Sequence, residues 1–457
     1  MNTETICAIA TPPGMGATAM VRVSGTDAFT NASKLFRAPE LLLELPANIA
    51  KFASIYDNAV EHASLVDQVV VTKFVSPHSF TGEDVVEISC HGSVYIQRKI
   101  IELLIQNGCR MAGPGEFTQR AFLNGKLDLP QAEAVADLIA AQSESAHAIA
   151  VNQLSGTLSS KLKTLREQLL NISSLLELEL DFSEEDVEFA DRSQLLAILD
   201  DVENEVSRLL KGYKYGNMLK HGVPVAIVGE PNVGKSTLMN AILKRERAIV
   251  SDIPGTTRDT VEDYFNIKGI LFRFIDTAGI RESSDTVENL GIERTFNTIN
   301  EANVVVFVFD SSTDVFEILR QIDLVKKSSD MEDKTMILVA NKSDKLNGSS
   351  STIKDAIPVS AKYGLNIDSL TERIYSCVVD GGLLADAALL TNERHYSHLN
   401  SIMLSVNSVK NGLKDNTPAD IIAEDVRVML HDLGEITGTI SSEDILNNIF
   451  GKFCIGK

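Results

Sequence analysis

The chain of 457 residues exceeds what one hydrophobic core usually serves and fits about two or three domains of ordinary size. Its formal net charge of −21 argues against a protein that coats nucleic acid, since neutralising phosphates requires a positive surface, but it leaves room for a local basic patch. No run approaches the about 18 apolar residues of a membrane span, no signal-peptide pattern opens the chain, and the 5 scattered cysteines favour a reducing cytosol over disulfides or zinc.

Residues 1–120 alternate short runs of β-forming residues with turns that contain glycine and proline. Ala19–Val23, Gln68–Phe74 and Val85–Ser89 are predicted strands, and Thr11–Gly14 is a predicted turn. This alternation predicts an N-terminal domain of the mixed α/β or α+β kind.

Residues 121–217 contain little glycine or proline, while leucine, alanine, glutamate and serine recur at spacings of three and four. Leu165, Leu169, Ile172 and Leu176 show this spacing. The pattern predicts long amphipathic helices. Because this part of the chain is acidic, any RNA contact made there would be weak unless a partner supplies the positive surface.

Residues 218–382 change to buried-strand runs separated by helical segments, which is typical of a mostly parallel, doubly wound sheet. The helical pattern returns in residues 383–457. We therefore predict a helical domain interrupted by an inserted α/β domain, although two separate helical domains would give the same pattern. The predicted strands of the insertion are Val225–Gly229, Leu271–Asp276, Val304–Asp310, Thr335–Asn341 and Ala356–Ser360.

A phosphate-binding motif follows the first of these strands. Residues Gly229–Ser236 read GEPNVGKS, and a helix is predicted to begin near Thr237. In such a P-loop the glycines allow backbone N–H groups to wrap phosphates. Lys235 then reaches the β- and γ-phosphates, and Ser236 offers its hydroxyl to Mg²⁺.

Three further motifs end later strands in the order expected of a GTP site. Asp276–Gly279 (DTAG) can hold the water shell of the metal and meet the γ-phosphate. Asn341–Asp344 (NKSD) offers a carboxylate to the two guanine N–H donors, a pair that adenine lacks, and Ser360–Lys362 (SAK) suits the guanine oxygen. Each motif alone is often an ordinary turn, but the ordered set predicts a GTPase rather than an ATPase.

Residues Ser251–Asp259 lie between the first two motifs and contain two adjacent threonines. A threonine at this place completes the Mg²⁺ shell only while the γ-phosphate is present, so the segment should become ordered with GTP. Thr257 is the stronger candidate for this ligand. A threonine-rich surface loop is the alternative.

The residue after the DTAG glycine is Ile280, where Ras-type enzymes carry a glutamine that orients the attacking water. That orientation must therefore come from another group. Asn232 can present its carbonyl to a monovalent cation beside the phosphates, and Glu288 can orient water. A purely structural asparagine and a solvated surface glutamate are the alternatives.

The chain resembles the MnmE (TrmE) family of tRNA modification GTPases over essentially its whole length. The matching segments are Thr11–Gly14, Ser79–Asp84 with His91-Gly92, Pro114–Leu129, Asp181-Phe182, the P-loop with Asn232, Gly255–Asp259, Asn392 with Arg394-His395, and Cys454–Lys457. Ribosome-assembly GTPases share the central motifs but not these flanking ones.

This resemblance implies a homodimer with an N-terminal folate-binding and dimerisation domain, a helical domain, and a Ras-like GTPase domain inserted into the helices. GTP hydrolysis would be activated by K⁺ and coupled to dimerisation of the GTPase domains. The FAD-dependent and NADH-dependent partner MnmG would complete a heterotetramer and carry much of the tRNA surface. Together they add an aminomethyl or carboxymethylaminomethyl group to the wobble uridine of certain tRNAs, with the carbon from a reduced folate, 5,10-methylenetetrahydrofolate or a 5-formyltetrahydrofolate analogue.

The resemblance also implies roles for particular residues. Contacts to GTP are implied for Asn232, Val233, Gly234, Lys235, Ser236, Thr237, Ser251, Asp252, Ile253, Pro254, Gly255, Thr256, Thr257, Asp276, Thr277, Ala278, Gly279, Asn341, Lys342, Asp344, Ser360, Ala361 and Lys362. The implied K⁺ ligands are Asn232, Ser251, Ile253 and Thr256, the Mg²⁺ ligands are Ser236 and Thr257, and the folate contacts are Arg22, Glu87, Lys126 and Lys457. Glu288 is implied as the catalytic glutamate. Ser251 stands where a threonine is common, but a backbone oxygen can make the same contact.

The residues alone leave other interpretations open. Arg22, Glu87 and Lys126 suit a ligand with a carboxylate tail and a hydrogen-donating ring, yet they could equally be surface charges, and the Cys454–Lys457 segment could be a frayed tail. Cys454 is a candidate nucleophile without a visible base. A switch for ribosome assembly that binds RNA and does no covalent chemistry is the competing functional hypothesis.

Overall fold

The structure is a computed structural model in which the chain forms two compact units. The described residues are 4–57, 64–181, 192–245, 262–276, 298–328, 334–345, 353–379, 389–415 and 417–457. The first unit combines Met1–Ile139, Gln153–Arg192 and Ser408–Lys457, and the second combines Ala140–Asn152 and Ser193–Asn407. Each unit is therefore built from segments that are distant in sequence.

A six-stranded sheet organises the first unit. Its strands are β1 (Ile6–Ile9), β2 (Thr18–Ser24), β3 (Ala50–Asp57), β4 (Ser64–Phe74), β5 (Val85–His91) and β6 (Arg110–Met111). They lie in the order β3-β4-β5-β2-β1-β6 and are antiparallel, except that β6 runs parallel to β1. Side chains alternate between the faces of a strand. Val21, Val23 and Ile88 are therefore buried in the core, while Arg22 and Glu87 are register partners on the other face.

The first unit also contains eight of the described helices. They are Ala28–Ser33, Glu40–Leu43, Val94–Gln106, Glu116–Leu123, Leu129–Ala140, Thr157–Asp181, Ala419–Thr437 and Glu443–Phe450. Leu129–Ala140 begins with a capping box, in which the Gln131 N–H donates to Asp128 Oδ1 at 2.9 Å and the Asp128 N–H donates to Gln131 Oε1 at 3.0 Å. These two bonds fix the start of the helix.

The predicted amphipathic helix around Leu165 is confirmed. Leu165, Leu169, Ile172 and Leu176 are each no more than 2% exposed on helix Thr157–Asp181. This helix packs along Ala419–Thr437, which follows the α/β insertion in sequence. Burial of the leucine face therefore joins helical segments from the two sides of the insertion.

The second unit contains the predicted doubly wound sheet. Its strands are β7 (Val223–Val228), β8 (Glu262–Ile267), β9 (Ile270–Asp276), β10 (Val304–Asp310), β11 (Thr335–Asn341) and β12 (Ile357–Pro358). They lie in the order β12-β11-β10-β7-β9-β8, all parallel except that β8 is antiparallel to β9. Every residue of β7 is buried, which is why this strand is a continuous apolar run. The carboxyl ends of β7, β10 and β11 consequently meet at one edge of the sheet.

In the second sheet, the strands β12 and β8 differ most from the sequence predictions, for local reasons. β12 contains only Ile357 and Pro358, because a proline has no N–H with which to continue a ladder, and Ser360 instead forms an isolated bridge with Leu365. β8 is absent from the predicted strands. Its sequence, EDYFNI, begins with two acidic residues, as suits a strand at the edge of a sheet.

Most residues of the remaining described helices belong to the second unit. These helices are Glu144–Leu154, Arg192–His221, Lys235–Arg245, Val315–Ser328, Ile367–Val379 and Glu393–Lys414. Tyr213 and Tyr396 stack at 4.4 Å between ring centroids and so pin the second of these helices to the last. Among the residues that the structure describes, no helix has the length and apolarity needed to cross a membrane.

The turn between β8 and β9 contacts the helix Glu144–Leu154. Lys268 and Gly269 have φ values of +50° and +84°, as a two-residue type I′ hairpin requires. The Gly269 carbonyl accepts a hydrogen bond from the Ser145 N–H at 3.0 Å, and Ile149 packs against the core of the sheet. The segment Ala140–Asn152 is therefore part of the second unit although it lies about 70 residues before the sheet in sequence.

Candidate functional site

The P-loop residues 229–234 connect β7 to helix Lys235–Arg245 in a conformation that requires two of its glycines. Gly229 has φ +150°, and a Cβ there would lie 2.1 Å from the Val308 carbonyl oxygen. Gly234 has φ +97°, and its Cβ would lie 2.5 Å from Asn341 Nδ2. The Lys235 ammonium folds back over the loop and donates to the carbonyls of Gly229 and Glu230 at 2.8 and 2.9 Å.

The helix Lys235–Arg245 points its first turn at this loop. The first N–H groups of a helix have no partner within the helix, and the helix dipole adds partial positive charge there, so the position favours an anion such as phosphate. Ser236 and Thr237 are exposed in that first turn. A hydroxyl beside a phosphate site is a suitable ligand for Mg²⁺, and Ser236 therefore fits the metal that the P-loop pattern implies.

Asn341 joins three of the predicted motifs. Its side chain is buried at the end of β11, where Nδ2 donates to the Val233 carbonyl at 2.8 Å and Oδ1 accepts from the Ala361 N–H at 3.0 Å. Both amide atoms are used within the protein. The asparagine of the NKSD motif therefore holds the P-loop and the SAK segment against each other.

Asp344 lies where a base-recognising carboxylate is expected. It is exposed in the short turn Ser343–Lys345, and the buried Ser360 hydroxyl donates to its Oδ1 at 2.5 Å. A cavity of about 520 Å³ at the SAK segment is lined by Thr237, Asn240, Lys244, Ala361, Lys362 and Tyr363 among others. This volume lies within the range of small-molecule sites.

Lys342 connects the NKSD motif to the P-loop and also contacts Asp310, a residue that belongs to none of the nucleotide motifs. Its Nζ donates to the Asn232 carbonyl at 2.8 Å and lies 2.9 Å from Asp310 Oδ2. Burial alone would raise the pKa of Asp310, but hydrogen bonds from Lys342 and Ser312 outweigh it and lower that pKa to about 2. Asp310 is not among the site residues predicted from the sequence. The available signal was an acidic residue that ends a strand of otherwise apolar side chains.

Several predicted site residues lie outside the described part of the chain. They are Ser251, Asp252, Ile253, Pro254, Gly255, Thr256, Thr257, Thr277, Ala278, Gly279 and Glu288. For Asp276 the structure gives the backbone, which ends β9 and pairs with Ile227 of β7.

In the first unit, Arg22 and Glu87 form an ion pair on the face of the sheet. Arg22 Nε donates to Glu87 Oε1 at 2.9 Å, and its guanidinium carbon lies 5.7 Å from the ring centroids of both Phe80 and Phe117. The Lys126 ammonium donates to the Pro77 carbonyl at 3.1 Å and so lies along the loop that carries Phe80. The structure thus places the Arg22–Glu87 pair beside two aromatic rings and Lys126 on the loop that carries one of them.

The Cys454–Lys457 segment is docked in the first unit. Arg22 Nη1 donates to the Gly456 carbonyl at 3.4 Å, and the Phe117 N–H donates to the Lys457 main-chain oxygen at 3.2 Å. Gly456 has φ +95°, and a Cβ there would lie 2.3 Å from the Ile9 carbonyl oxygen. Cys454 is exposed, and no described side chain hydrogen-bonds its thiol.

The second unit combines a phosphate-binding loop, whose conformation requires glycines and which leads into a helix, with the Asp344 carboxylate in the position that reads a purine base. These features define the second unit as a P-loop GTPase. Comparison with known proteins narrows this class. Residues 129–454 match the family model for the MnmE helical domain, and residues 5–126 match that for the GTP-binding protein TrmE N-terminus. The chain belongs to the MnmE family of tRNA modification GTPases.

Individual relatives match over the full length of the chain. A tRNA modification GTPase MnmE of Flavobacterium psychrophilum is 48% identical over 99% of each chain. Another, of Bacteroides fragilis, is 46% identical over 100% of each. A crystal structure of Aquifex aeolicus Era with GDP and AlF4⁻ is 28% identical and covers 40% of this chain and 66% of Era, with a TM-score of 0.26.

Proposed function

We propose that this GTPase is activated by K⁺ and acts with the FAD-dependent protein MnmG to add an aminomethyl or carboxymethylaminomethyl group to C5 of the wobble uridine of certain tRNAs. A tetrahydrofolate bound to the first unit supplies the carbon. The protein acts as a cytoplasmic homodimer, joins MnmG in a heterotetramer, and couples GTP hydrolysis to dimerisation of its GTPase domains. The observation that carries this proposal is the docking of the Cys454–Lys457 segment beside Arg22 and Glu87.

The residues around Arg22 suit a folate. Its pterin and aminobenzoyl rings are planar, and Phe80 and Phe117 offer aromatic faces near the cation. Glu87 can accept hydrogen bonds from pterin N–H donors, and Arg22 or Lys126 can pair with the glutamyl carboxylates. Because Arg22 already pairs with Glu87 and contacts Gly456, a ligand here would have to share or displace those contacts.

One oxygen of the P-loop, the side-chain amide oxygen of Asn232, is suited to bind a monovalent cation. The carbonyl of Asn232 is taken by Lys342, so the side-chain amide oxygen of Asn232 is the group that this residue would offer to K⁺. Ser251, Ile253 and Thr256 would complete the site, with Ser236 and Thr257 on Mg²⁺. A cation there supplies the positive charge that an arginine finger supplies in other GTPases. Glu288 would orient the attacking water in place of the glutamine that Ile280 replaces.

GTP turnover should therefore depend on the identity of the monovalent cation. We expect hydrolysis to be about 100-fold faster in K⁺ than in Na⁺, since preorganised charge at the transition state is worth that much. Replacing Asn232 by alanine should remove most of this difference while GDP still binds. The measurement is phosphate release at fixed ionic strength, with choline chloride as the salt control. Equal rates of the intact protein in K⁺ and Na⁺ would refute the cation site.

The tRNA role is tested by a mass-spectrometric census of nucleosides from cells that lack this protein. Rescue with the intact chain should restore the modified wobble uridine, whereas a chain that ends before Cys454 should restore little of it. The matched control is Lys452→Ala, a change at an exposed residue just before that segment, which should rescue fully.

An unchanged census would instead favour the ribosome-assembly switch, since such a switch has no need of a folate. A truncated chain that rescues as well as the intact one would leave the tRNA role in place and remove the Cys454–Lys457 segment from it.

A further inference from the structure

We infer that Asp310 is a positioning residue of the GTP site, which acts through Lys342 to aim a backbone N–H group of the P-loop at the bound phosphates. It lies at the end of β10, outside the four nucleotide motifs. Its influence on the nucleotide therefore depends on the chain of contacts that leads from its carboxylate to the loop.

Each link of that chain is a short polar contact. Asp310 Oδ1 accepts from the Ser312 hydroxyl at 2.7 Å and from the Ser312 N–H at 3.0 Å, which fixes the carboxylate. The other oxygen, Oδ2, lies 2.9 Å from Lys342 Nζ. The same Nζ donates to the Asn232 carbonyl at 2.8 Å. The lysine is thereby held between a fixed anion and the loop.

Because a peptide group is planar, the contact that holds the Asn232 carbonyl also fixes the direction of the Val233 N–H group. The Asn232 carbonyl and the Val233 N–H belong to one planar trans peptide, so they point in opposite directions. Lys342 draws that carbonyl towards the NKSD segment, and Asn341 Nδ2 draws the next carbonyl, that of Val233, to the same side. The N–H groups of Val233 and Gly234 are therefore turned to the opposite side, where a P-loop cradles phosphates.

The conformation of Asn232 is one that this restraint can help to hold. Its φ of +65° is in the left-handed region, which asparagine tolerates better than other residues with a Cβ but adopts less readily than negative φ values. The side chain of Lys342 is 29% exposed and that of Asp310 is 17% exposed, so without the carboxylate the ammonium could turn to solvent. The Asn232–Val233 peptide would then lose the hydrogen bond that holds its carbonyl.

The test compares ligands with and without phosphate on the variant Asp310→Asn. We expect GDP to dissociate about tenfold faster, because one charge-assisted hydrogen bond is weakened, while guanosine binds within about twofold of the original affinity. GDP release is measured by stopped flow with a fluorescent GDP, and guanosine binding by saturation-transfer NMR. The matched control is Asp323→Asn, on the exposed face of helix Val315–Ser328, which should leave both values unchanged.

An equal loss of GDP and guanosine would mean that Asp310 supports the base-recognising segment rather than the P-loop, and would overturn the inference. So would unchanged GDP release. If thermal unfolding without nucleotide shows that Asp310→Asn does not fold, Ser312→Ala provides the second test. It removes one of the two hydrogen bonds that hold Asp310 Oδ1 and leaves the one from the Ser312 N–H, so it should speed GDP release about two- to threefold. Unchanged release from this variant would also overturn the inference.

Discussion

Replacing Asp344 by asparagine is expected to lower the kcat/KM for GTP by about 100-fold and to raise that for xanthosine triphosphate. A carboxylate accepts two hydrogen bonds from the guanine ring N–H and amino group, and hydrogen bonds to a charged group contribute about 1.5–3 kcal/mol each. An asparagine amide turns an N–H towards the ring and suits the carbonyl that xanthine carries at that position. The specificity should therefore change rather than merely weaken.

The fold should tolerate this substitution. Asp344 is exposed, and the Ser360 hydroxyl that donates to it can donate equally well to an amide oxygen. The rates of hydrolysis of GTP, xanthosine triphosphate and ATP are the measurement. Asp355→Asn, at an exposed aspartate of the same unit, is the matched control. Equal losses with GTP and xanthosine triphosphate would show that Asp344 does not read the base.

Gly456→Ala is expected to release the Cys454–Lys457 segment from the first unit. A Cβ at this position would lie 2.3 Å from the Ile9 carbonyl oxygen, and the φ of +95° disfavours any residue with a side chain. Both penalties are relieved if the segment leaves its place. The Phe117 N–H then loses its acceptor, the Lys457 oxygen, so hydrogen exchange at the Phe117 amide should accelerate by about 10- to 100-fold.

The matched control separates backbone strain from the steric clash. Gly125 has φ +68°, but a Cβ there would meet nothing within 4 Å. Gly125→Ala should therefore leave exchange at Phe117 unchanged. Mass spectrometry of a peptide that contains Phe117 gives the readout, and normal protection in Gly456→Ala would show that the segment can dock without its glycine. If the folate proposal holds, folate affinity falls in parallel with this protection.

The parallel sheet and the order of the nucleotide motifs are predictable because their signals are local. β10 and β11 are runs of apolar residues that end in polar ones, and the structure places them at the predicted bounds Val304–Asp310 and Thr335–Asn341. The P-loop is equally readable, since Gly229 and Gly234 adopt φ values that few other residues tolerate. In these segments the residues nearby in sequence dictate the conformation.

Contacts between residues that lie far apart in sequence cannot be predicted from such local patterns. Arg22 and Glu87 are recognisable as charges, but only the register of β2 with β5 shows that they face each other. Asn341 belongs to a nucleotide motif, yet its side chain is used to hold Val233 and Ala361. Asp310 is recognisable as an acidic residue that ends an apolar strand, but nothing near it in sequence identifies Lys342 as its partner. Such roles depend on tertiary packing rather than on local pattern.

Because the Cys454–Lys457 segment docks in the first unit, that unit can finish folding only after the end of the chain has been synthesised. Arg22 and Gly456 are 434 positions apart. At about 5–20 residues per second, a ribosome needs roughly 20–90 seconds to make the intervening chain. Until then Leu129 and Ala132 lack Leu446 and Phe450, which cover them in the finished core. The second unit is complete once Asn407 has emerged. The unit whose synthesis begins first is therefore finished last, and a nascent chain must keep that apolar surface from aggregating in the meantime.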